Sequence, residues 1–362
     1  MKKTLIAVAA LSAMAASAMA ANVTVSGVVD LGFNFQNVKA GDTTRTFQMK
    51  SGQNSGSRVM FKGAEDLGNN VEVGFQLESG FAADSGLLGG ESNIFQRESR
   101  LYVKTAFGTL HAGRFGALDA GTGSVSIFGG SDMAAFGTGW SDVATTRPIL
   151  KISSRYDNSI AYQSPTFAGV SLYVMHSLKE SDQTKKFVAE DKGNEGRPSA
   201  NRYNGIGLKY VNGAFNAAFV ASQQNYASLG GGVNPENGLV YSLGAGYNFG
   251  VCKVMAEGQY FDMGKDNTSE KVEKGWGTVL SVTAPVAGGK LYASAGYKDA
   301  ELTIDSDTKQ KAFNLGLGYT YNFSKRTMFY TAAGYQEVKD EDSSGSSKTK
   351  STTVITGLVH KF

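Results

Sequence analysis

The sequence predicts an all-β protein, a sixteen-stranded antiparallel barrel that crosses a membrane with strands. Three observations predict it. Short segments along the whole chain alternate apolar and polar residues with period two. After the first twenty residues, no apolar run is long enough to cross a bilayer as a helix. The final segment, Val354 to Phe362, is a strand pattern that stops on an aromatic residue, placed to close a ring against the first strand.

The start of the chain reads as an export signal. Met1-Lys2-Lys3 is a short basic region, Leu5 to Ala16 is apolar apart from Ser12, and Ala18-Met19-Ala20 supplies a small-x-small cleavage site. Residues 1–20 are therefore expected to be removed, leaving residues 21–362 as a single barrel domain. Loss of Lys2 and Lys3 leaves 33 of the 35 basic residues against 32 acidic ones. That balance, without a basic run, excludes nucleic acid as the expected partner. Cys252 is the single cysteine, so neither an internal disulfide nor a cysteine metal cluster can form. Mean hydropathy is −0.21, because barrels alternate their apolar content with polar positions.

The strands follow in order. Val23, Val25, Val29, Leu31, Phe33 and Phe35 take one face of the first, with Thr24, Ser26, Asp30, Asn34 and Gln36 opposite. Val71 to Glu78, Tyr241 to Phe249 and Phe313 to Phe323 repeat the alternation. A soluble sandwich points its apolar face inward, whereas a barrel in lipid inverts it. Charges at mid-strand on the polar faces (Arg58, Lys62, Glu72, Lys253, Glu257) favour the inverted arrangement, as do Tyr and Phe at strand ends.

Connections alternate short and long. Short ones fall at 64–70, 107–109, 164–169, 212–213, 249–250, 285–289 and 324–326. Long polar ones fall at 37–44, 81–93, 116–150, 179–200, 226–238, 263–273, 301–308 and 339–348. Seven short and eight long connections require sixteen strands, with both termini on the rim that carries the short turns. A ring of sixteen is wide enough to hold an aqueous channel.

One connection differs in composition. The segment from Phe115 to about Leu150 is rich in Gly and Ser, carries Asp119, Asp132 and Asp142, and includes Ile127, Phe128, Met133, Phe136 and Trp140. The expectation is a loop folded into the barrel, with Phe128, Phe136 and Trp140 against the wall. The alternative is a surface loop with its own cluster, or one used between subunits. Arg58 shares parity with Lys62, and Arg155 with Asp157 and Ser159, which points both into the lumen; Tyr156 then points outward. Arg97, Arg100 and Arg114 lie close by in the chain, and a bulge near the rim would be needed to turn Arg97 inward. Guanidinium groups stay charged at any relevant pH, and rings of charge select ions. The predicted constriction comprises Arg58, Arg97, Arg114 and Arg155 facing Asp119 and Asp132.

Gly56-Ser57-Arg58-Val59-Met60-Phe61-Lys62-Gly63-Ala64-Glu65-Asp66-Leu67-Gly68 resembles the signature of general bacterial porins of the betaproteobacterial type. Phe107 to Arg114, Arg155 to Pro165 and the Lys-Phe terminus are similar to further stretches of that family. The resemblance implies a homotrimer of sixteen-stranded barrels with the third long loop inside, and Arg58, Arg97 and Arg155 lining the eyelet. It implies residence in the Gram-negative outer membrane among lipid and lipopolysaccharide. It implies delivery by the barrel assembly machinery, which would read the strand ending in Phe362.

An enzyme is not expected. His111, His176 and His360 are well separated, and none has a metal-ligand spacing or a paired nucleophile. Gly230-Gly231-Gly232 lacks the Lys-Ser/Thr of a phosphate loop. No cofactor or metal is expected. The expected function is passive diffusion of ions and small hydrophilic solutes, filtered by size and charge. The alternatives are a substrate-specific, anion-preferring channel, or a structural or adhesive barrel without an open pore.

Overall fold

The computed structural model describes residues 23–89, 93–128, 140, 143, 149–179, 195–197, 200–227, 236–264, 272–304 and 306–362. The expected signal peptide, Asp132 and Phe136 lie outside the described residues.

Among the described residues, seventeen strand segments make one sheet. The first eight are β1 (Thr24–Ala40), β2 (Asp42–Ser51), β3 (Arg58–Asp66), β4 (Glu72–Gly80), β5 (Glu98–Thr105), β6 (Gly108–Gly116), β7 (Arg155–Gln163) and β8 (Val170–Ser177). The rest are β9 (Arg202–Asn212), β10 (Phe215–Asn225), β11 (Gly238–Asn248), β12 (Lys253–Asp262), β13 (Val272–Val286), β14 (Gly289–Ile304), β15 (Ser306–Asn322), β16 (Thr327–Asp342) and β17 (Gly345–Lys361). Every neighbouring pair is antiparallel, and β17 pairs with β1 from Val28↔Lys361 to Lys39↔Lys350, which closes the ring. Closure leaves no edge, so lipid meets no unsatisfied backbone.

The wall is sixteen strands wide. β2 pairs with the outer half of β1 (Leu31↔Ser51 to Ala40↔Asp42), and β3 with its inner half (Thr24↔Lys62 to Val28↔Arg58). They occupy one position in the ring, broken by Gly52 to Ser57. That break is invisible in the alternation. At the seam, Gly27 N donates to Phe362 O at 2.9 Å and Phe362 N to Gly27 O at 3.1 Å. A side chain at Gly27 would stand 2.7 Å from Phe362 Cε1, so only glycine lets the terminal ring lie here.

The inverted pattern holds. Phe33, Phe35, Leu208, Leu243, Leu280, Leu315 and Leu317 are exposed on the outer face, while Asp30, Asn34, Ser242, Ser281 and Asn314 are buried on the inner one. Aromatic pairs such as Tyr247–Phe249 and Tyr321–Phe323 stand beside the short turns. They form the interfacial girdle that a membrane barrel requires. The turn Val286 to Gly289 places Ala287 and Gly288 at φ 48° and 77°, the tight geometry that matches strand twist.

Three predicted long loops are instead extended hairpins. The stretches 37–44, 301–308 and 339–348 continue β1–β2, β14–β15 and β16–β17 above the apolar zone. There both faces are polar, so alternation ceases to mark a strand, while cross-strand charge pairs such as Lys348–Glu337 (2.7 Å) hold the ladder.

Tyr156 also departs from the expectation. It is buried and stacks on Tyr203 with ring centroids 4.5 Å apart. Asn158 sits at φ 49°, and this left-handed residue breaks the alternation between Tyr156 and Ser159.

Candidate functional site: a charged wall beside the long third connection

The site starts at Asp30 on β1. Its carboxylate accepts Asn54 N and Ser55 N at 2.7 Å each and Tyr330 OH at 2.7 Å, and the side chain is fully buried. These bonds fold the Gly52–Ser57 break inward. The break in turn positions Arg58, whose Nη1 donates to Gly56 O (2.7 Å) and Ser55 Oγ (3.1 Å).

Arg58 and Arg97 converge on Glu78 of β4. Arg58 Nε lies 3.7 Å from Glu78 Oε1, and Arg97 Nε pairs with the same oxygen. Arg97 precedes β5, and its backbone N–H still donates to Glu78 O (3.2 Å), so it leaves the outward parity of Leu101. A bulge turns Arg114: the β6–β7 register shifts between Gly113 and Phe115. Arg114 then donates to Asp157 Oδ1 (2.6 Å) and to Gln96 O (2.7 Å). Arg155 Nη2 donates to Thr122 Oγ1 of the long connection at 2.9 Å. Arg155 lies within electrostatic range of Arg97, Arg114, Glu78 and Glu98. Deeper along β5, Arg100 pairs with Glu98 (3.0 Å) and meets His111 Nδ1 at 2.6 Å.

The four predicted arginines are thus neighbours. Their carboxylate partners Glu78 and Asp157 were missed, because no local motif marks an acid that answers an arginine 19 or 43 residues away. Asp119 does not face them. It is buried and accepts Tyr203 OH (2.9 Å) and Ser222 Oγ (2.8 Å), on β9 and β10. Its loop is pulled tight to that wall, which turns the carboxylate away from the arginines; burial pushes its carboxyl above the ordinary 3.8.

The connection itself is densely packed. Phe115, Leu118, Val125, Ile127 and Phe128 form one cluster with Met175, Tyr203 and Val220. Ser124 Oγ reaches Gln76 of β4 at 3.3 Å. Trp140 packs on Tyr292 of β14 and Tyr330 of β16, with ring centroids 5.4 and 5.8 Å away. At the far end, Gln259 of β12 bonds both backbone groups of Lys151, and the Lys151 ammonium pairs with Glu273 of β13.

A sixteen-strand ring with a polar, charged interior and an apolar exterior is the frame of a membrane channel. The family model for Gram-negative porins matches residues 7–341. The chain belongs to the Gram-negative porin family. An outer membrane porin protein of Bordetella pertussis is 30% identical over the full length of both chains. Outer membrane porin protein 32 of Delftia acidovorans is 30% identical over 95% of this porin and 92% of its own chain. Major outer membrane protein P.IB of Neisseria meningitidis serogroup B is 27% identical over both full lengths. Among solved structures, the anion-selective porin from Comamonas acidovorans superposes with a TM-score of 0.70 at 26% identity, covering 94% of this porin and 100% of that chain. OmpT of Vibrio cholerae, solved in a trimer form, shares the fold, with a TM-score of 0.62 at 14% identity over 95% of this porin and 100% of that chain. The protein is a porin channel of the Gram-negative outer membrane.

Proposed function

We propose that the connection after β6 folds into the lumen and that Arg58, Arg97, Arg114 and Arg155 line the resulting constriction, which prefers anions. The observation that carries this reading is the set of strands the connection touches. Its residues bond or pack on β4, β9, β10, β12, β13, β14 and β16, on the faces opposite the lipid-exposed side chains. Contacts at so many positions around a closed ring support a path through its inside.

The charges support the anion preference. Five arginines (58, 97, 100, 114, 155) stand with three carboxylates (Glu78, Glu98, Asp157), a surplus of two positive charges. The anion selectivity of the Comamonas porin fits this surplus. Passive, size-limited diffusion of ions and small hydrophilic solutes is the function, with no catalytic step. The assembly proposed is a homotrimer, and the strand ending in Phe362 is the proposed recognition element for the barrel assembly machinery. Residues 1–20 are proposed to be the cleaved signal.

Single-channel recording in a planar bilayer under a salt gradient tests the reading. The expected record is large steps in groups of three with a reversal potential of anionic sign. A cation-selective potential would overturn the assignment of the arginines, and a silent membrane would favour the barrel without an open pore.

A further inference from the structure

Glycine weakens the interior of a strand and often marks a place where another backbone comes close. Gly277 of β13 and Gly296 of β14 both stand in strand interiors, and both face inward. Gly277 is the register partner of Gln259 and Lys298, and Gly296 of Val279 and Asn314, all four buried on the inner wall. The neighbour of both glycines is the trailing leg of the long connection. A Cβ at Gly277 would overlap the Ile149 carbonyl oxygen and stand 3.0 Å from its carbon, and one at Gly296 would stand 3.0 Å from Ile149 Cγ1.

The two glycines leave a notch in the wall, and Ile149 fills it. Ile149 is fully buried, and with Leu150 it packs on Val279 and Ala312. Two residues on, the Gln259 side chain holds both the N–H and the C=O of Lys151, and its amide also donates to Ser242 Oγ at 2.9 Å. Gln259 and Gly277 are direct cross-strand partners. One patch of wall therefore fixes how far residues 149–151 stand out from it.

This seat lies opposite the arginines. With β2 and β3 counted as one position, β5 is fourth and β13 twelfth, eight apart in a ring of sixteen. The wall of β4 to β6, which carries Glu78, Arg100 and Arg114, thus stands half a ring away. A lumenal gap between the two sides widens or narrows with the depth at which 149–151 are seated.

We propose that Gly277 is a positioning residue that sets the exclusion size of the channel. Without a side chain there, the trailing leg lies with its backbone directly on the wall, and the gap facing the arginines stays open. This rests on the lumenal path of the connection proposed above. A side chain at 277 meets backbone, which cannot swing aside as the tip of a side chain can. Restoring ordinary contact takes a shift of roughly 1 Å, directed away from the wall. No charge changes, so size exclusion moves while the sign of selectivity stays.

The test compares the full-length wild type, Gly277→Ala and a control, Gly258→Ala. Gly258 faces outward beside exposed Leu243, and a Cβ there meets nothing within 4 Å. The readouts are single-channel conductance, reversal potential, and swelling of proteoliposomes in monosaccharide and trisaccharide. Gly277→Ala should conduct roughly 10–30% less and admit the trisaccharide, relative to the monosaccharide, at least about threefold more slowly than wild type. Its reversal potential should keep the wild-type sign, and Gly258→Ala should match wild type throughout. Wild-type conductance and size exclusion in Gly277→Ala would overturn the role of Gly277, and so would a larger conductance. If Gly277→Ala does not assemble, Gly296→Ala carries the test, because its methyl presses on the Ile149 side chain. A smaller decrease in the same two readouts is expected there, and no decrease would overturn the seat. The wild-type exclusion size separates this inference from the reading beneath it. Passage of polyethylene glycols of several kilodaltons through wild type would mean an unobstructed ring and refute the lumenal path, and the role of Gly277 with it. A wild type that excludes them, with an unchanged Gly277→Ala, would refute the role of Gly277 alone.

Discussion

Reversing the charge at Arg155 should abolish most of the anion preference. Arg155 donates to a threonine hydroxyl rather than a carboxylate, so its positive charge is a large part of the local surplus. Two net charges at roughly 7 Å from a monovalent ion give about 1.2 kcal/mol in water, halved to about 0.6 kcal/mol by screening near 0.1 M salt. An anion gains and a cation loses that amount, which sets an anion-to-cation ratio of roughly fivefold to tenfold. In a tenfold salt gradient the corresponding reversal potential is roughly 30–40 mV. Arg155→Gln leaves one net charge and should bring it to about 20 mV, while Arg155→Glu leaves none and should bring it near zero. The assay is the reversal potential of single channels, with heat-modifiable trimers on a gel as the check on assembly. Potentials that stay at the wild-type value in both variants, in assembled protein, would refute the assignment of Arg155 to the constriction.

Two further outcomes follow from the packing. Deleting Phe362 removes both seam bonds to Gly27, about 2 kcal/mol of closure, and the aromatic end of the terminal strand; the yield of assembled trimer should fall sharply, and a normal yield would contradict the role given to the seam. Asp119 gives the docked loop a pH dependence. Its carboxyl is raised above 3.8 when docked, so docking is strongest when that group is protonated and weakens as pH rises through the raised value. Hydrogen exchange of amides at 117–128 should accelerate as pH rises through that window, beyond the intrinsic rate change, and Asp119→Asn should remove the effect; an identical pH profile in the variant would contradict it.

The barrel was legible because lipid imposes one rule on every strand. A side chain facing hydrocarbon must be apolar and its neighbour need not be, so period two persists wherever the wall meets the bilayer. The rule lapses above the bilayer, which is why the hairpins around Gly41, 305 and 344 read as loops. It also lapses at local irregularities: Asn158 at φ 49° turns Tyr156 inward, and the bulge at Gly113–Phe115 frees Arg114 from the parity of Leu110. Arg58 and Arg155 were expected at the site from parity and from family likeness, and Arg97 from likeness alone, but Asn158 breaks the parity on which the expectation for Arg155 rested. Glu78, Asp157 and Asp30 were not found, because an acid on a lumen-facing position looks the same whether it meets water or an arginine from another strand. Asp119 was assigned to the wrong partner for the same reason: loop sequence records its charge but not the wall residues it reaches.

The central structural claim is that the third long connection lies docked inside the lumen while the pore stays open. Ile127 Cδ1 occupies the space where a Gly207 side chain would project, so an Ile127→Cys/Gly207→Cys pair in a Cys252→Ser background puts two thiol-bearing side chains within reach of each other. The bond should form on mild oxidation of the assembled barrel, and single-channel conductance should be the same oxidised and reduced. Thiols that remain free under oxidation, or a conductance that collapses when the bond closes, would contradict it.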